Sequence, residues 1–182
     1  MELDNLENLQ YPIGRFDVDT LQHDEFVERN IFAIETFPIK LQNVVNLLDD
    51  LQLDTPYRPG GWTVRQLVHH IPDSHINAYI RFKWSLTEDN PHIKSYIQDS
   101  WASLPDSKQP PHIALRLLSS LHDKWASLMK GMSEKDWERT FFHPEHDKTY
   151  SLKYCLGMYV WHGEHHLAHI KALMAREGWS AQ

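Results

Sequence analysis

The chain has 182 residues, 41% hydrophobic and 24% charged, the make-up of an ordinary globular domain able to bury one core. A formal charge of -7 without any basic cluster argues against a nucleic-acid surface, and no apolar run approaches the roughly 18 residues of a membrane span. The lone Cys155 cannot build a disulfide framework, and Met1 to Asn8 is acidic where a secretory signal is basic, so the cytoplasm is the expected compartment.

Residues 1–22 read as an irregular arm with turn signals at Pro12-Ile13-Gly14. From Asp24 to Leu53 apolar residues recur at helical spacing, and Pro38 is expected to break or kink that stretch, because it lacks an N–H and crowds the preceding turn. Pro56, Pro59, Gly60 and Gly61 mark a loop over Thr55 to Gly61. A second helix opens at Thr63, with Gln66 completing a capping box, and ends near Glu88 to Pro91. Pro72 predicts a local kink in it, beside His69 and His70. Residues 92–110 form a connection with a short helical piece around Tyr96 to Ser103. A third helix follows Pro110-Pro111 and runs to about Met132, and Ser133 caps a short piece over Glu134 to Arg139. Phe141 to Tyr150 suggests a loop or small hairpin. The last helix starts at Ser151 and reaches about Glu177, with Gly178 in the stop position. Four long helices predict an all-α four-helix bundle, one domain over residues 1–182.

Thirteen histidines and seven tryptophans stand out. The tryptophans are spread along the chain, as core anchors between helices would be. Four histidines crowd into Trp161 to Ile170 (WHGEHHLAHI). His162 and His166 lie four apart, so both rings leave one helix face and can reach one ion; His165 and His169 have the same spacing, and spacing does not choose between the pairs. The second helix offers His69, His70 and His75, and Asp73 shares a face with His70, where it could orient that ring. One histidine from the second helix and two from the last would make three ligands with an open position, the count of a catalytic metal site. Solvated histidines, or core histidines satisfied by ordinary hydrogen bonds, are the alternative for each ring taken singly.

Other chemistries lack their residues. No HExxH exists, since the chain reads His162-Gly163-Glu164-His165-His166, and no ExxH pair supports a di-iron site. Cys155 on an apolar helix face reads as inert packing, and neither a GxSxG elbow nor a phosphate-cradling glycine loop is present. Trp62, Tyr159 and Trp161 could line a pocket or serve as packing.

The segments YPIGRF (Tyr11 to Phe16), LDTPYRPGGWTVRQLVHHIPDSHINAYIRFK (Leu53 to Lys83) and YVWHGEHHLAHI (Tyr159 to Ile170) closely resemble the YfiT-type metal-dependent hydrolases of the DinB-like superfamily. That superfamily's His-x-x-Asp block is matched by His70 to Asp73 and its His-x-x-x-His block by His162 and His166. The resemblance thereby singles out His70, His162 and His166 as metal ligands. It implies an up-down-down-up bundle, one zinc or nickel ion per chain, and a cytoplasmic homodimer. Pro72 departs from the helix former usual at that place.

Three functions are compatible with such a site. A hydrolase would use the ion to activate water toward a small-molecule substrate, with Glu164, His165 or His169 as possible proton relays. A thiol S-transferase would use it to activate a low-molecular-weight thiol such as bacillithiol, as some superfamily members do. A stress-related metal-binding scaffold would need no open position at all.

Overall fold

The four periodic apolar stretches become helices α1 (Phe26–Val45), α2 (Val64–Thr87), α3 (Pro111–Lys130) and α4 (Leu152–Glu177). The computed structural model describes residues 7–23 and 25–179. The start of each helix has a local cause. Thr63 and Gln66 form the expected capping box at α2, Pro111 occupies the first turn of α3, and the Ser151 hydroxyl accepts from the Tyr154 N–H at α4. Gly178, with φ 66°, adopts the left-handed conformation that ends α4.

Helices α1 and α2 each pack against α3 and α4, so α1 and α2 face each other across the bundle's diagonal. The core is in two parts. One gathers Phe26, Ile34, Phe82, Trp125 and Leu156, and the other Phe37, Leu41, Leu67, Leu118 and Ile170. Along α1 and α4 the first part precedes the second, while along α2 and α3 the order is reversed. The helices therefore run up, down, down, up. Two glycines let α1 lie close to α4. A methyl on Gly157 would sit 2.9 Å from Phe26, and one on Gly163 would sit 3.1 Å from the Phe37 ring.

Several expectations are corrected. α1 continues through buried Pro38 and stops at Val45, where Asp49 opens a separate helical turn (Asp50–Leu53) with its own capping box. α2, by contrast, keeps Pro72 inside it, as expected. The arm is less irregular than its residues suggest, with a helical turn at 7–10 and a 3-10 turn at Val18–Gln22; residues 1–6 lie outside the described part. It docks on α4: the Trp161 Nε1–H donates to the Gly14 carbonyl at 3.2 Å, and Phe16 meets Tyr154 edge-on. Residues Thr140–His143 (β1) and Lys148–Ser151 (β2) pair as an antiparallel hairpin, Thr140 opposite Ser151. Of the tryptophans, only Trp125 and Trp137 are buried, so most are not core anchors. Among the described residues no helix is long and apolar enough to cross a membrane.

The close approach at Gly163 gives a stability test. Gly163→Val should drive a branched side chain into the Phe37 ring and destabilise the fold by about 1–3 kcal/mol in urea denaturation. An unchanged midpoint would show that the Phe37 ring gives way freely.

Candidate metal centre

Between the two apolar clusters the facing positions of α2, α3 and α4 are histidines. His70 and His75 project from α2, His122 from α3, and His162 and His166 from α4. The α2 pair is firmly placed because the helix start is tied down: Arg65 donates to Asp54 at 2.7 Å and to Asp50 at 2.8 Å, beside the Thr63 cap.

Three ring nitrogens converge. His162 Nε2 lies 3.3 Å from His70 Nε2 and 3.1 Å from His166 Nε2. One nitrogen of each ring lies within 4.8 Å of the others. A tetrahedral ion with Zn–N distances near 2.0–2.1 Å holds its ligand nitrogens roughly 3.3–3.4 Å apart, close to this spacing. The residues present therefore fit a divalent ion.

The proton on His162 is set from a distance. Its Nδ1 lies 3.2 Å from His75 Nε2, His75 Nδ1 lies 2.8 Å from His122 Nε2, and His122 Nδ1 lies 2.6 Å from the Ile34 carbonyl. A carbonyl only accepts, so His122 donates from Nδ1. Burial holds His122 down to about 4 and His75 and His162 well below the ordinary imidazole range, so each ring carries one proton at neutral pH. His122 Nε2 must then accept from His75 Nδ1–H, and His75 Nε2 from His162 Nδ1–H. The lone pair of His162 Nε2 is left facing His70 and His166. Phe37 stacks at 6.1 Å on His75 and lies 6.0 Å from His122, closing the line from the α1 side.

The remaining expected residues are placed differently. His69 Nε2 donates to the Gln109 carbonyl at 2.9 Å, on another side of α2. Among the described residues no hydrogen bond joins Asp73 to His70, which corrects the orienting role expected of that carboxylate. Burial, with the Asp106 carboxylate second, instead pushes the Asp73 carboxyl up to about 6. Glu164 is drawn outward by an ion pair with Lys40 at 2.8 Å, which removes it from the possible relays. His165 and His169 meet at 3.0 Å between Nε2 atoms. With His166 they form a second cluster whose nitrogens lie within 4.8 Å, but all three stand on one helix. Cys155 is buried, and burial pushes its thiol up to about 12, as inert packing requires. His122 was not singled out by sequence reasoning; as the one histidine on the buried side of α3, its only signal was its phase with Leu118 and Trp125.

Two cavities flank the centre. The larger, about 1120 Å³, is reached past His162, Ser74 and Tyr159; the smaller, about 450 Å³, lies beside His166, Trp62 and Tyr57. Trp62 packs on the His70 ring at 4.7 Å and donates from Nε1 to Asp99. Tyr11 of the arm borders the smaller cavity, so the arm that seemed peripheral helps wall the site.

The model of the DinB superfamily matches residues 33–170. A relative from Bacillus pumilus is 49% identical over 175 residues, covering 96% of this chain and all of its own length, and one from Bacillus mycoides is 48% identical with the same coverage. Both bear the provisional name of metal-dependent hydrolase. YfiT from Bacillus subtilis, provisionally described as a metal-dependent hydrolase with an unusual four-helix bundle topology, superposes with a TM-score of 0.92 at 46% identity, over 95% of this chain and 99% of its own. A mycothiol-dependent maleylpyruvate isomerase shares the fold, with a TM-score of 0.59 at 16% identity over 76% of this chain and 60% of its own.

The imidazole line is open to spectroscopy. In histidine-detected nitrogen-15 spectra of the metal-free protein, His122, His75 and His162 should carry their protons on Nδ1. His122→Phe should remove that bias at His75 and His162, and an unchanged pattern would show that the Ile34 carbonyl does not set it.

Proposed function

The chain belongs to the DinB superfamily, and from that premise we propose that it is a metal-dependent hydrolase whose zinc or nickel ion is held by His70, His162 and His166. The observation that carries the reading is the convergence of three imidazole Nε2 atoms from two helices on one buried point at the mouth of a large cavity. The single-helix cluster of His165, His166 and His169 is the weaker candidate, because ligands on one helix approach an ion from one side only.

When bound, the ion supplies Lewis acidity, which makes water nucleophilic near neutral pH. The protein does the rest. The line from Ile34 through His122 and His75 holds the His162 ring and keeps its Nε2 unprotonated. Trp62 covers the His70 ring and excludes solvent from that flank. Ser74 Oγ, 3.5 Å from His162 Nε2, offers a hydroxyl toward the cavity that can orient a nucleophile. The reading includes a small-molecule substrate, a homodimer and a cytoplasmic setting, the last two resting on the family resemblance.

Zinc-loaded protein offered a panel of esters and amides should cleave at least one class. Chelation should abolish cleavage, and His162→Ala should remove both cleavage and one tightly held ion. Parallel incubation with a halogenated aromatic electrophile and cellular thiols tests the competing chemistry. Thiol-dependent conjugation without cleavage would overturn the hydrolase reading in favour of thiol transfer.

A further inference from the structure

Four α2 residues, His70, Ser74, Asn77 and Arg81, follow one another at steps of four, three and four, so they share one helix face. The last three line the larger cavity, and Arg81 stands about 16 Å along the helix axis from His70. Arg81 is only 9% exposed. Its guanidinium makes one hydrogen bond, from Nη1 to the Tyr159 hydroxyl at 3.3 Å, and lies 5.8 Å from the centre of the Phe141 ring. Among the described residues no carboxylate lies within 4 Å of it.

An arginine does not shed its charge, and a buried unpaired cation costs far more than a buried neutral group. The acids at the cavity edge do not meet it. Asp99 accepts from Trp62 Nε1, and Glu145 is exposed and makes no ion pair with Arg81. Around the guanidinium stand neutral donors instead. The Tyr159 hydroxyl accepts from Arg81 and has the Ser74 hydroxyl as its other neighbour, while Tyr96 and His143 also line the cavity. His143 is buried, and its Nδ1 has no partner. One buried cation among neutral donors is the inventory of a site for an oxyanion; Lys94, the cavity's other cation, is exposed, and the neighbouring wall of Ile80, Trp84 and Met158 suits an apolar body.

We propose that Arg81 anchors an oxyanion subsite, so that the substrate is an apolar molecule bearing a carboxylate or similar acidic group. That group sits on Arg81, Tyr159 and His143, and the reacting bond points toward the three-histidine end. The orientation rests on the hydrolase reading; the subsite itself does not.

Calorimetry of zinc-loaded protein with 3-phenylpropanoate and its neutral isostere 3-phenylpropanamide tests this without any turnover. The acid should bind the wild type, and the amide should bind at least about tenfold more weakly. Arg81→Met should erase the preference for the acid yet melt no lower than the wild type, since it removes an unpaired buried charge. Arg81→Lys, keeping the charge but not the fork, should retain part of the preference. His162→Ala should still prefer the acid, because Arg81, the charge that holds it, stands about 16 Å along the helix axis from His70. Equal binding of acid and amide by the wild type would overturn the subsite. So would a preference that survives Arg81→Met but vanishes in His162→Ala, which would place the acid on the ion. Cleavage activity can fail while the preference stands, so the two readings fall separately.

Discussion

The hydrogen bond from His122 Nδ1 to the Ile34 carbonyl is the constraint from which the centre is built. Imidazole is ambiguous about which nitrogen holds its proton, and a row of imidazoles multiplies that ambiguity. One main-chain carbonyl removes it at the first ring, and each later ring inherits the answer. The lone pair presented by His162 on α4 is thus decided on α1, through α3 and α2. All four helices take part in orienting one nitrogen.

A buried row of polar rings is costly unless every member is satisfied. The fold meets that cost by position: the row lies between two apolar clusters, and its contacts are with each other. Phe37 belongs to the apolar set yet faces both His75 and His122, so packing and hydrogen bonding fix the same atoms. Gly163 extends this to α4, since its missing side chain lets Phe37 approach one residue from His162.

Much of this could be read in the sequence, and the part that could not has physical reasons. Helix periods and caps identified the four helices, because a capping box at Thr63 or a glycine at 178 acts within a few residues. The i, i+4 spacing of His162 and His166 showed a paired presentation, but not which pair meets α2, because that depends on how far α4 is rotated in the bundle. His69 and His70 are indistinguishable until Gln109, forty residues on, claims one of them. Pro38 was expected to break or kink its helix, yet it sits buried in a continuous one, where tertiary packing outweighs the missing donor. Asp73 shares a face with His70, as its spacing required, but burial first and the Asp106 carboxylate second govern its carboxyl. His122 carried no local signal, since a single histidine becomes informative only when the fold sets it against His75.

The up-down-down-up order has a further consequence for a chain with a single cysteine. His70 and His162 stand 92 residues apart in sequence, on helices that only the finished topology makes neighbours. An ion shared by them closes a loop spanning half the polypeptide, the task a disulfide performs in secreted proteins, and closures of that length remove much freedom from the unfolded chain. An ion held there would act as a reversible cross-link. Cohesion of the bundle would then depend on free metal concentration, as for any partner that binds the folded chain alone.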